Sequence, residues 1–163
     1  MPNRWTFSIK PIKELLDEEM VGGKWCDPFA GELSPAHITN DLRPEAKAEF
    51  HLDALEFLRL QPVDGYDGVL YDPPYSFRQA SECYKSTGLD KLTATVTSKK
   101  YWAEVKDEIA RITRPGGTVI GFGWNTNGLG KGRGFELTRV LIVPHGGSMN
   151  DTLVTVERKK CPS

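Results

Sequence analysis

Apolar positions along the chain change their spacing several times, and each change marks an element. In PIKELLDEEM, residues 11–20, Ile12, Leu15, Leu16 and Met20 share one helical face behind a proline suited to a first turn. KKYWAEVKDEIARIT, residues 99–113, repeats the pattern with Trp102, Val105, Ile109 and Ile112, and RPGG stops that helix. Shorter apolar runs bounded by turn residues predict strands at GGKWCD (22–27), AHITND (36–41), DGVLYD (67–72) and TVIGF (118–122). YDGVLY is apolar enough for a strand buried on both faces. EFHLDALEFLRL, residues 49–60, reads as a further strand passing into a short helix. FELTRVLIVPH and TLVTVERK, joined by GGSMND, read as a hairpin.

Strands alternating with helices and closed by a hairpin predict an α/β fold with a mostly parallel sheet and an antiparallel end. With 163 residues, 39% of them apolar, one domain spanning 1–163 with a substantial core is expected. No run reaches the roughly 18 apolar residues of a membrane span, and MPNRWTFSIK has no secretory apolar stretch. Three scattered cysteines, Cys26, Cys83 and Cys161, give neither a disulfide framework nor a zinc spacing, so a cytoplasmic location is expected. The net charge of −1 conceals an asymmetry. Residues 1–77 carry 7 Lys/Arg against 14 Asp/Glu, and residues 78–163 carry 14 against 8. The basic half either faces a polyanion or is a set of solvated helix surfaces.

Ligands of such sheets bind beyond the carboxyl ends of the strands. Four strands end in or just reach an acid: Asp27, Asp41, Asp53 and Asp72. In WCDPFAGE, Asp27 precedes a turn whose Gly31 lets a ligand approach the backbone. Asp41, ending the second strand, is placed to accept hydrogen bonds from both hydroxyls of a ribose. Asp53, in HLDA, is a candidate acceptor for an adenine amino group.

DPFAG (27–31) followed by DPPY (72–75) resembles the amino-methyltransferases, S-adenosylmethionine-dependent enzymes acting on exocyclic nitrogens of nucleic-acid bases. FSIKPIKELL is similar to the segment of that family that packs beside the methionine part of the cofactor, and RPGGTVIGFG to its characteristic strand entry. YDPPYSFRQASECYKSTG and GFGWNTNGLGKGRGFE look like a compact phage-type group of N6-adenine-specific DNA methyltransferases. The resemblance implies a Rossmann-like class I methyltransferase fold, S-adenosylmethionine as cofactor, and Phe7, Pro11, Asp27, Phe29, Gly31, Asp41 and Asp53 as cofactor-site residues. DPFAGELSPAHITND departs from the family in leaving only a few residues, Pro35 among them, between Gly31 and Ile38. A helical crossover needs at least about 10–12 residues, so the first helix is expected to be shortened or missing.

The tetrapeptide carries the chemistry. An adenine N6 amine is a poor nucleophile because its lone pair is delocalised, and two acceptors on its two hydrogens favour a pyramidal nitrogen. An ionised Asp72 and the Pro73 carbonyl are acceptors only, and neither Pro73 nor Pro74 has an N–H. Proline also pushes the preceding residue to extended geometry, which stiffens the corner. Tyr75 offers a ring for a base to stack on. A base inside a duplex cannot reach such a corner, so a single-stranded or flipped-out nucleotide is expected. No metal is required, and His37, His51 and His145 stand apart. The segment from Arg78 to Lys100, with Tyr84 and Lys85, is the candidate nucleic-acid contact, and GLGKGRG (128–134) adds Lys131 and Arg133 as a loop. No separate target-recognition domain is expected, so specificity is relaxed or supplied by a homodimer or partner. The rival readings are an RNA guanine-N2 or cytosine-N4 methyltransferase, and a catalytically silent fold used as a scaffold.

Overall fold

The computed structural model describes residues 6–88, 93–147 and 150–162. A 3-10 turn at Thr6–Ser8 leads into α1, Lys10–Glu19, with Pro11 in its first turn and Ile12, Leu15 and Leu16 buried on one face. The six strands are β1 (Trp25–Asp27), β2 (Ile38–Thr39), β3 (Tyr66–Tyr71), β4 (Thr113–Gly123), β5 (Phe135–Val143) and β6 (Thr152–Lys159). They form one sheet in the order β2-β1-β3-β4-β6-β5. The first four are parallel, in a register that aligns Cys26 with both Ile38 and Val69, and Val69 with Val119. β6 runs antiparallel to both β4 and β5. The expected mixed sheet with its antiparallel end is therefore present.

Alternation along the strands divides the core. Trp25, Leu70, Ile120, Val154 and Val156 face α1 and Phe7. Cys26, Val69 and Val119 face α2 (Ala54–Arg59) and α5 (Lys99–Ile112), whose Phe57, Leu58, Val105, Ile109 and Ile112 are fully buried. Ser98 caps α5 by accepting from the Tyr101 N–H at 3.1 Å, one of the orphan donors at a helix start. The chain also forms α3, Phe77–Ser86, capped by Ser76, and the short α4, Thr93–Val96. The sequence pattern assigns no helix to either segment. Residues 89–92, inside the expected nucleic-acid segment, and 148–149, inside the hairpin turn, lie outside the described residues.

Two local expectations resolve differently. The segment from Asp27 to Ile38 holds turns and no helix, in agreement with its length. The strand expected at EFHL is instead a single parallel bridge between Phe50 and Asn40. Its backbone is held by a side chain: the buried Asn40 amide donates to the Pro28 and Leu52 carbonyls at 3.1 and 3.0 Å and accepts from the Leu52 N–H at 2.9 Å. After β1 the chain crosses to β2 on one side, and β3 lies on the other. The reversal opens a crevice at the carboxyl ends of β1 and β3.

Candidate functional site

Three of the four acids stand on that rim. Asp27 ends β1 and is fully buried. Its oxygens accept from the Phe29 N–H at 2.9 Å and the Ser34 hydroxyl at 2.6 Å, so it builds the turn from Pro28 to Gly31. Burial pushes its carboxyl up to about 7, against the pull of those two hydrogen bonds. Asp41 follows β2, and Asp72 follows β3. Asp53 does not stand with them. It caps α2, accepting from the Leu55 and Glu56 N–H groups, and its other oxygen takes the hydroxyls of Tyr84 and Tyr101. With both oxygens so occupied, the expected role towards an adenine amine is corrected to that of a helix cap.

A cavity of about 490 Å³ opens between β1 and β3. Phe7, Phe29, Gly31, Asp41 and Asp72 are among the residues lining it. Gly31 has φ +59°, and a Cβ there would meet nothing within 4 Å, so this wall of the cavity is bare backbone. Its N–H donates to Asp41 at 2.9 Å. Asp41 also receives the Arg43 N–H at 2.9 Å and the Arg43 guanidinium at 3.0 and 3.2 Å. Four donors fill the acceptor sites of this one carboxylate. Pro11, exposed at the start of α1, and Asp27, beneath the turn, lie outside this lining.

The Asp-Pro-Pro-Tyr corner divides this cavity from a second one of about 620 Å³. Asp72 lines the first, Pro73 and Tyr75 line the second, and Pro74 and Trp102 belong to both walls. Asp72 is 1% exposed to bulk solvent, and its access is through the cavity. Burial pushes its carboxyl up to about 7; the Tyr75 hydroxyl, donating at 2.8 Å, opposes that rise, and the charge of Asp27 adds to it. That hydroxyl corrects one expectation. The prolines keep backbone donors away, yet side chains do hydrogen-bond Asp72, Tyr75 on one oxygen and Thr6 as well. The Tyr75 N–H is held by the Gln79 side chain at 2.8 Å, which fixes the corner to α3. No hydrogen bond among the described residues engages the Pro73 carbonyl.

The second cavity is lined by aromatic and basic residues. The Tyr75 and Trp124 rings meet edge-on at 5.6 Å, and Phe77 and Trp102 also line it. Lys99, Lys106 and Arg133 share the lining, with no Asp or Glu among the described residues there. Lys106 donates to the Asn127 and Gly128 carbonyls at 2.7 Å each. The buried Glu157 accepts from the Leu129 and Gly130 N–H groups at 2.6 and 2.9 Å. Only glycine fits at 128, because a Cβ there would lie 2.0 Å from that carboxylate.

The expected nucleic-acid residues scatter. Tyr84 is buried with its hydroxyl on Asp53, so it is corrected from a base contact to a core tyrosine. Arg78 is exposed and pairs with Glu82 along α3, and Lys85 and Lys131 are exposed. Arg133 ties its loop to α5 through Asp107 at 2.7 Å and the Ala103 carbonyl at 3.3 Å. Sequence reasoning overlooked Asn40, Arg43, Gln79, Lys106 and Trp124. Trp102 was read only as core, whereas it is half-buried between the two cavities.

No family model and no curated protein sequence matches this chain. Solved structures do. The Burkholderia thailandensis 1,6-didemethyltoxoflavin-N1-methyltransferase, crystallised with 1,6-didemethyltoxoflavin and S-adenosylhomocysteine, matches 96% of this chain and 81% of its own at 14% identity, with a TM-score of 0.66. A SAM-dependent methyltransferase from Methanosarcina mazei matches 91% of this chain and 98% of its own at 11% identity, TM-score 0.60. The N-methyltransferase NodS from Bradyrhizobium japonicum WM9 matches 95% and 97% at 11% identity, TM-score 0.56. The chain has the class I methyltransferase fold. At these identities the likeness speaks for the fold alone, and what the site does has to be argued from its residues.

Proposed function

We propose that this protein transfers a methyl group from S-adenosylmethionine to the N6 amino group of adenine in DNA. The observation that carries the reading is the Asp72–Pro73 corner with a cavity on each side, an acid facing one and an unengaged carbonyl beside the other. The first cavity suits the cofactor in size, in its aromatic walls and in the bare backbone at Gly31. Asp41 suits a ribose diol once the Arg43 guanidinium gives way, because the two backbone donors leave acceptor sites for two hydroxyls. Two of the structural neighbours bear names that say N-methyltransferase, which agrees with a nitrogen acceptor.

S-adenosylmethionine supplies an electrophilic methyl group. The chain's own work is to hold an amine in line with it, and orientation of this kind is a large source of rate. Asp72 takes the Tyr75 hydroxyl on one oxygen and a further side-chain hydrogen bond from Thr6, and the carboxylate keeps acceptor capacity for the amine. The Pro73 carbonyl takes the second hydrogen. As the new N–C bond forms, the nitrogen must shed a proton, and a carboxylate with a pKa of about 7 is a competent base at neutral pH. Transfer therefore rises with pH through about 7, where Asp72 ionises. The edge-on Tyr75 and Trp124 rings give the base an aromatic slot.

The test is to incubate the protein with labelled cofactor and with DNA or RNA, digest the products and identify the modified nucleoside. N6-methyldeoxyadenosine is expected. N2-methylguanosine or an N4-methylated cytidine overturns the substrate. Cofactor binding with no transfer to any nucleic acid favours a silent scaffold, a reading to which the closed Asp41–Arg43 pair lends its one supporting observation.

A further inference from the structure

We propose that the second cavity holds a phosphorylated nucleoside rather than a bare base, with Lys106 and Lys99 as partners of the phosphate. The base identity rests on the function proposed above, whereas the phosphate site rests on the cavity's own chemistry. Lys99, Lys106 and Arg133 line the cavity, and no carboxylate among the described residues shares the lining.

The three cations are not equivalent. Arg133 is spent on Asp107 and on the carbonyls of Ala103 and Leu129. Lys106 is half-buried and forms no ion pair among the described residues. Its ammonium meets the Asn127 and Gly128 carbonyls and lies 6.0 Å from the centre of the Tyr71 ring. Glu157, the nearest acid acting on it, is committed to two backbone N–H groups. Burial, and then the charge of Arg133, lower the pKa of Lys106, as expected of a cation whose countercharge is missing. Lys99 is exposed at the start of α5, also without an ion pair among the described residues, and shares the same wall. A phosphate is acceptor-only and carries the charge this wall lacks. Two carbonyls use two of the three donors on Lys106 and leave one for a phosphate oxygen.

The geometry is also divided as a nucleotide is divided. Apolar rings of Tyr75, Phe77 and Trp124 and the cations of Lys99 and Lys106 line one space of about 620 Å³, and Pro73 lines it too. A base on the rings directs its sugar and phosphate towards Lys106 and Lys99.

Binding is read without any methyl transfer. Trp102 and Trp124 line the cavity, so their fluorescence is titrated with deoxyadenosine, deoxyadenosine 5′-monophosphate and deoxyadenosine 3′-monophosphate. One of the monophosphates is expected to bind roughly 10-fold tighter than deoxyadenosine, the scale of a charge-assisted hydrogen bond. The monophosphate that gains shows which side of the nucleotide faces the lysines. In Lys106→Met the gain is lost while deoxyadenosine binds as before, and Lys106→Arg keeps it. Equal affinity of the wild type for all three ligands overturns the proposal. So does a Lys106→Met variant that loses deoxyadenosine and monophosphate alike, since Lys106 is then only a prop for the loop. If Lys106→Met fails to fold, Lys99→Ala decides: a gain reduced about threefold supports the site, and an unchanged gain overturns it. A protein that passes this test yet methylates nothing refutes the proposed function and leaves the phosphate site standing.

Discussion

The two cavities on either side of Asp72–Tyr75 differ in charge, origin and state. The first is lined, among the described residues, by Glu32, Asp41 and Asp72 with Arg43 as its one cation, and most of its wall comes from the acidic first half of the chain. The second has three cations and no acid, and most of its wall comes from the basic second half. The opposed charge of the two halves recurs in the linings of two chambers that meet at a stiff corner. The acidic chamber is closed on itself through Arg43, whereas the basic one has, among the described residues, a half-buried lysine held by carbonyls and by no ion pair.

The largest effect expected from breaking this arrangement is at the corner itself. Asp72→Asn keeps an acceptor for the Tyr75 hydroxyl but removes the charge and the base. Labelled-methyl transfer is expected to fall by at least about a thousandfold, the combined scale of lost proton transfer and orientation. Calorimetry is expected to show cofactor binding within a few-fold of wild type. Normal turnover by this variant removes Asp72 from the chemistry.

Next in size is the loss of an aromatic wall belonging to one chamber only. Trp124→Ala strips the ring that meets Tyr75 and leaves the first cavity untouched. Base stacking on an aromatic is worth roughly 1–3 kcal/mol, so KM for an adenine-containing oligonucleotide should rise about 5- to 150-fold. The cofactor Kd should stay constant. If both constants move together, the chambers are not separate in the way their walls suggest.

A smaller effect of opposite sign is expected on the acidic side. Arg43→Ala leaves Asp41 with its two backbone donors and two open acceptor sites. The half-buried ion pair no longer competes with a ribose, so cofactor binding should tighten by roughly five-fold, about 1 kcal/mol. Weaker binding in calorimetry means instead that Arg43 holds the cofactor.

How far these features were legible depends on whether the signal was local. The strand at YDGVLY, the helix at KKYWAEVKDEIARI and the closing hairpin write their periods directly into the sequence, and the structure has all three. The missing first helix was legible as a length. The helix at FRQASECYKS was not, because only Ala80 and Tyr84 are buried and the rest reads as polar loop. Phe50 and Leu52 imitate a strand, whereas the backbone there is held by one asparagine just after β2. Asp53 was misread although its signature was present: an aspartate three residues before Glu56, ahead of an apolar run, is a helix start. The Arg43 latch is local, two residues from Asp41, but its DLR stretch reads as an ordinary turn. The basic wall had no sequence signature, since it exists only once α5 and the loop that follows β4 are folded together.

The smallest expected effect concerns what lies under the acidic chamber. Asp27 and Asp72 both have carboxyls raised from 3.8 to about 7, chiefly by burial. Such groups bind protons more tightly in the folded chain than in the unfolded one. Their contribution to stability is full below about pH 4, declines between about 4 and 7 as the unfolded chain releases protons that the folded chain still holds, and is lost above about 7. Asp27→Asn isolates the share of Asp27, and because its charge also raises the Asp72 carboxyl, melting temperature and not turnover is the readout. The asparagine oxygen can still accept from Phe29, and its amide can donate to the Ser34 oxygen, so no buried group is orphaned. Relative to wild type, the variant should melt a few degrees higher at pH 8 than it does at pH 5, since about 1 kcal/mol moves a domain of this size by roughly 2–8 °C. A difference in Tm that is identical at the two pH values means that Asp27 is ionised throughout. The acid side would then owe its stability to a charge paired in place, and the contrast between the two chambers would have to be drawn from shape alone.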